Sequence, residues 1–135
     1  MSSEAAVAWL RQRIRERMFL AQNTIRLGNA AEWQELSSGV LMTCRPDDPQ
    51  DRLDGVHPLG DSTLTRLMEA NDPQDTIARC EAELGILDLH ALWAGEPSAH
   101  PAMGAAACAV SDAVRHVARG YRHWEGYAEH WGESA

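Results

Sequence analysis

Residues 71–94, NDPQDTIARCEAELGILDLHALWA, carry the clearest helix signal in the chain. Asp72 stands where an N-cap carboxylate accepts from orphan backbone N–H groups. Pro73 follows at the first helical position, where its missing N–H is harmless, and Asp75 sits in the first turn, at the positive end of the dipole. From there Ile77, Cys80, Leu84, Leu87 and Ala91 recur at steps of three and four, the spacing of one face of a helix. A second row, Ile86, Leu89 and Trp93, makes the segment apolar on more than one side, which predicts the central helix of the fold. Gly95-Glu96-Pro97 ends it.

Working outward, Asp61-Ser62 reads as the N-cap of a shorter helix, Thr63 to Ala70, stopped by Asn71-Asp72-Pro73. Downstream, a helix from about Pro101 to Arg119 carries Met103, Ala107, Val110, Val114, Val117 and Tyr121. Its first half is mostly Ala and Gly, which allows close helix contact. At the other end, Ser2 or Ser3 caps a helix running from about Ser3 to Leu27. Val7, Leu10, Ile14, Met18, Ala21 and Ile25 form its stripe, and Gly28-Asn29 is its stop.

Residues 30–60 are different in kind. Trp33 to Leu36 and Val40 to Cys44 read as two short strands about a Gly39 turn, and Leu53 to His57 as a third, ended by Pro58 and Gly60. Between them lies an acidic, breaker-rich loop, Arg45 to Asp51. Its Asp47, Asp48, Asp51 and Asp54 lack the alternate spacing and terminal Glu of a calcium loop, so it reads as solvated. The expected fold is α+β, mainly α: a long N-terminal helix, a small antiparallel β element, then about three helices. It forms a single domain over 1–135, divided into helix A (1–29), β hairpin and acidic loop (30–60), helical group (61–119) and aromatic tail (120–135).

Composition narrows the function classes. The 135 residues are 44% apolar and 24% charged, a globular balance. The net charge of −8 disfavours polyanion binding by the molecule as a whole. That charge is uneven: residues 1–30 hold five arginines against two acids, and the remainder seven against eighteen. All twelve basic residues are arginine, and alanine occurs 21 times, usage typical of a GC-rich genome. The start has no basic signal-peptide region. Cys44, Cys80 and Cys108 are odd in number and outside any CxxC, which reads as reduced intracellular thiols, with Cys80 and Cys108 in the core. The expected location is cytoplasmic.

Several pieces carry a family resemblance: Trp9-Leu10-Arg11-Gln12-Arg13-Ile14, Trp33, Asp72-Pro73, Ile86-Leu87-Asp88-Leu89-His90, and a tail with the spacing Tyr121…Tyr127…Trp131. They resemble small actinobacterial and actinophage proteins grouped as a domain of unknown function. Their pattern opens with an LRARL-type helix, continues through a Trp-containing β segment and a DP helix start, and closes on a Y-A-D-H-P-x-Y-x-x-x-W tail. In this chain the tail His is one place early and the Pro is missing. The resemblance implies the architecture and no activity. Some relatives have extra Cys and His between the last two helices, which implies zinc.

The candidate chemistry is sparse. No GxSxG, HExxH, Walker or GxGxxG run occurs, so no catalytic residue is assigned. A zinc site would draw on His90, His100, Cys108 and His123, without the closely spaced ligand pair that zinc sites commonly have. Arg11 and Arg15 lie on one flank of the helix A stripe and Arg13 and Arg17 on the other. They could contact nucleic acid. They equally suit a helix–helix seam, with guanidinium groups offered to Glu81, Glu83 or Asp88. The tail holds four of the eight aromatic residues, Tyr121, Trp124, Tyr127 and Trp131. It either folds back as a lid or leaves Trp124 and Trp131 as binding anchors. The expectation is a non-enzymatic accessory or regulatory protein, with phage derivation among its readings, that binds a protein partner or itself through Trp124, Tyr127, Trp131, Arg11 and Arg15. The zinc-binding domain and the nucleic-acid binder are its alternatives.

Overall fold

The computed structural model describes residues 3–26, 32–37, 40–44, 53–58, 60–94 and 101–132. Along the chain run α1 (Glu4–Arg26), β1 (Glu32–Ser37), β2 (Val40–Cys44), β3 (Leu53–Pro58), α2 (Ser62–Glu69), α3 (Pro73–Ala94), α4 (Pro101–Arg119) and α5 (Tyr127–Trp131). The chain divides into two compact units, one of Met1–Glu16 with Glu81–Ala135 and one of Arg17–Cys80.

The described elements of the first unit are all helices, with a turn between α4 and α5. Ser3 caps α1, its Oγ accepting from the Ala6 N–H at 3.1 Å. Of the α1 stripe, Leu10 and Ile14 are buried and Val7 is half-buried, with Ala6 and Trp9 buried beside them. Leu87 of α3, Val114 and Ala118 of α4, and Tyr121 after α4 are also buried to 1% exposure or less. Tyr121 is the largest fully buried side chain described. Its phenol O–H donates to Glu83 Oε2, which gives a buried polar group the partner it needs.

The second unit holds the strands, paired antiparallel in the order β1-β2-β3. Glu32 faces Cys44 and Ser37 faces Val40, with an irregularity between Glu35 and Ser37. Val40 faces Pro58 and Cys44 faces Leu53 in the second ladder. Helix α2 packs on β1 and β2. Asp61 caps α2, its Oδ1 accepting from the N–H groups of Thr63 (2.7 Å) and Leu64 (3.1 Å). Asp72 caps α3 in the same way, with Oδ1 accepting from Asp75 N–H at 2.7 Å. Its second oxygen accepts from the Trp33 backbone N–H at 3.4 Å, which ties the start of α3 to β1.

The expected α+β class is corrected to mainly α. The helices run to 23, 8, 22, 19 and 5 residues, whereas the strands run to 6, 5 and 6 and are confined to the second unit. Element length explains the difference: the five helices hold most of the described residues, and the three strands are short. Four helices, not about three, follow the strands, because part of the tail coils into α5. Two packing expectations also change. Cys108 is exposed, whereas Cys80 is fully buried. Of the second apolar row of α3, Ile86 and Trp93 are half-buried, whereas Leu89 is 50% exposed. The stops at Gly28-Asn29 and Gly95-Glu96-Pro97, the Gly39 turn and the loop Arg45 to Asp51 lie outside the described residues.

Candidate functional site

The arginine-flanked first turns of α1 and the aromatic tail both belong to the first unit, and the structure brings them together at Trp9. The chain leaves α4 through a turn in which Trp124 N–H donates to Tyr121 O at 2.9 Å. It then reverses at Gly126, whose φ of 85° lies in the left-handed region that glycine adopts without steric penalty. A side chain there would also meet an obstacle, since a Cβ would lie 2.7 Å from Trp9 Nε1. This turn directs α5 across α1. The His130 ring stacks on the Trp9 indole at 5.8 Å between centroids and 28° between planes, and Tyr127 meets it edge-on at 6.2 Å and 62°. Trp131 donates from Nε1 to the Ala6 carbonyl at 3.1 Å.

The arginines divide between internal contacts and solvent. Arg11 Nη1 lies 2.7 Å from Asp88 Oδ1, joining α1 to α3. Arg13 places its Cζ 5.9 Å from the centre of the Trp9 ring and its Nη1 2.9 Å from Glu16 Oε2. Arg15 is exposed. The interhelix use of these arginines thus has a defined geometry at Arg11 and Arg13. Of the tail candidates, Trp124, Tyr127 and Trp131 are each half-buried, with ring or hydrogen-bond contacts inside the unit.

The zinc candidates do not converge among the described residues. His90 lies near the end of α3, Cys108 is on an open face of α4, and His123 is exposed in the turn after α4. No group of three or more His, Cys, Asp or Glu side chains placed to hold a metal occurs among the described residues. His100 lies outside them.

Two further features escape a reading by pattern. Arg79, on α3, clamps the α2–α3 turn: Nη2 donates to the Ala70 carbonyl at 2.8 Å, Nη1 to Asn71 Oδ1 at 3.3 Å, and Asp75 Oδ2 lies 2.8 Å from Nη2. A guanidinium at the end of a helix meets the orphan carbonyls there, and the four-residue spacing to Asp75 was the available signal. The second feature is the outer surface of the helices. Leu89 (50%) and Leu92 (69%) are open on α3, Phe19 (59%) and Leu20 (61%) on α1, Leu64 (42%) and Leu67 (62%) on α2, and Met103 (42%) on α4.

No curated protein and no solved structure matches the chain. A family model does, over residues 3–133: the chain belongs to the family of unknown function DUF6221. Among the described residues no helix is long and apolar enough to cross a membrane.

Proposed function

We propose that this member of the DUF6221 family is a non-enzymatic, intracellular accessory or regulatory protein, of actinobacterial or phage derivation, that works by binding another protein or a second copy of itself. The observation that carries the reading is the set of large apolar side chains left open on the helix faces, Leu67 and Leu92 foremost. Leucines exposed singly are ordinary. Neighbouring leucines open on one helix face, as Leu89 and Leu92 are, mark an interaction surface. The half-buried tail rings and Arg11 then serve as the frame of the first unit, and their contribution to binding is through the rim they leave open. The all-arginine basic set supports a GC-rich origin, and the odd number of cysteines an intracellular one. The net charge of −8, with Arg11 and Arg13 in contact with Asp88, Glu16 and Trp9, weighs against nucleic acid as the partner.

Site-specific photo-cross-linking in the native host tests this. A photoreactive residue is placed at position 67 or 92, with exposed Gln12 as the control position. Protein adducts at 67 or 92 that exceed those at 12 are the expected result. Equal, background-level adducts at all three would overturn the reading.

A further inference from the structure

We infer that the outward face of α3 is a self-association surface whose occupant is the same face of a second copy, in antiparallel register. The inference rests on the protein-binding reading and names the partner for this face. At about 100° per residue, Ala82, Gly85, Leu89 and Leu92 fall within one arc of about 80°, directly opposite the buried Leu87. All four are exposed, at alternating steps of three and four, the spacing of a helix-pairing seam.

Their order along the helix identifies the occupant. The two small residues come first and the two leucines second. A twofold axis at the level of Leu87 sets Ala82 opposite Leu92 of the second copy and Gly85 opposite Leu89 of the second copy. Each leucine then fills a space that a small residue leaves, and the surface complements itself as a twofold interface must. Gly85 supplies an independent reason. Glycine inside a helix lowers its stability relative to alanine, and here, its own helical turn aside, nothing lies within 4 Å of a Cβ built on it. Packing within the described chain therefore does not account for it, whereas close approach of another helix does.

Charge agrees with the pairing. The carboxylate flanking the seam beside the axis is Asp88, which is already paired with Arg11 at 2.7 Å. Two copies thus bring together two Arg–Asp pairs of alternating sign, not two bare carboxylates. A single helix pair buries less than the ~1,200 Å² at which stable interfaces begin, so the dimer is expected to dissociate with a Kd of roughly micromolar order.

Sedimentation and light scattering on the full chain, from about 1 to 500 μM, provide the test across that range. The wild type should rise from 14.9 kDa toward twice that mass. Gly85→Leu puts a side chain where Leu89 of the second copy inserts, yet has open space in the monomer. It should hold the chain at the monomer mass while melting no lower than the wild type. Leu92→Asp should do the same to the mass. A wild type that stays monomeric throughout, or a dimer that survives either substitution, overturns the inference. Adducts from position 67 to a different protein would leave the broader reading standing in that event, so the two failures are distinguishable.

Discussion

Gly126 lies against the indole of Trp9, so close that a Cβ on it would stand 2.7 Å from Nε1. Two independent constraints meet at this glycine. Its φ of 85° is strained for any residue with a Cβ, and the space beyond is filled by a ring that is itself 9% exposed. The contact decides where α5 goes, and with it the rings of Tyr127 and His130.

Gly126→Ala is therefore expected to destabilise the chain by ~1–3 kcal/mol, from the left-handed conformation and the displaced indole together. Thermal unfolding gives the size. Near-ultraviolet circular dichroism should lose the Trp9 signal in the folded protein, because the clash shifts the ring.

Asp72→Ala removes both the cap of α3 and the acceptor for Trp33 N–H. The expected loss is ~1–2 kcal/mol. Asp72→Asn keeps an acceptor oxygen and should recover most of it. Hydrogen exchange at the Asp75 and Trp33 amides should rise in the alanine variant and much less in the asparagine variant.

Tyr121→Phe deletes the hydroxyl that donates to Glu83 and leaves the ring packing in place. Hydrogen bonds to charged acceptors contribute ~1.5–3 kcal/mol. Since Glu83 is only half-buried, water replaces part of that, and a loss near the lower end is expected in denaturant unfolding.

These contacts indicate what was legible from residue order and what was not. The caps at Ser3, Asp61 and Asp72 are chemistry between residues two or three apart, so sequence reads them directly. The α1 stripe is legible for a related reason: Leu10 and Ile14 are large enough to mark a face. The first half of α4 is not, because its run of alanines and glycine is equally small on every side, and the placement of Cys108 in the core failed there. Helix α3 shows a different limit. Periodicity marks Leu89 as apolar but does not say what covers it, and the structure leaves it open. The α+β class failed because short strands announce themselves by local turn signals, whereas the balance of helix and strand is set by how far each helix runs, and α1 and α3 run to 23 and 22 residues. The tail's glycines suggest a loosened backbone, yet Gly126 is the residue that turns it onto Trp9. The pieces that carry the family resemblance turn out to meet one another: Trp9 with Tyr127, and Trp33 with Asp72.

Arg11→Ala separates folding from association. The Asp88 side chain is 69% exposed, so the pair should contribute less than about 1 kcal/mol to stability, and melting should barely move. Association should weaken several-fold, because two Asp88 carboxylates would then face each other across the axis, and added salt should partly restore it.

The most direct test of the α3 surface is an isotope-filtered NMR experiment on a mixture of labelled and unlabelled chains at millimolar concentration. The Leu92 methyl groups of labelled copies should show contacts to the Ala82 methyl group of unlabelled copies, and these should vanish in Gly85→Leu. Leu92 methyl groups with no intermolecular contacts, at concentrations where the wild type is dimeric, would contradict the account.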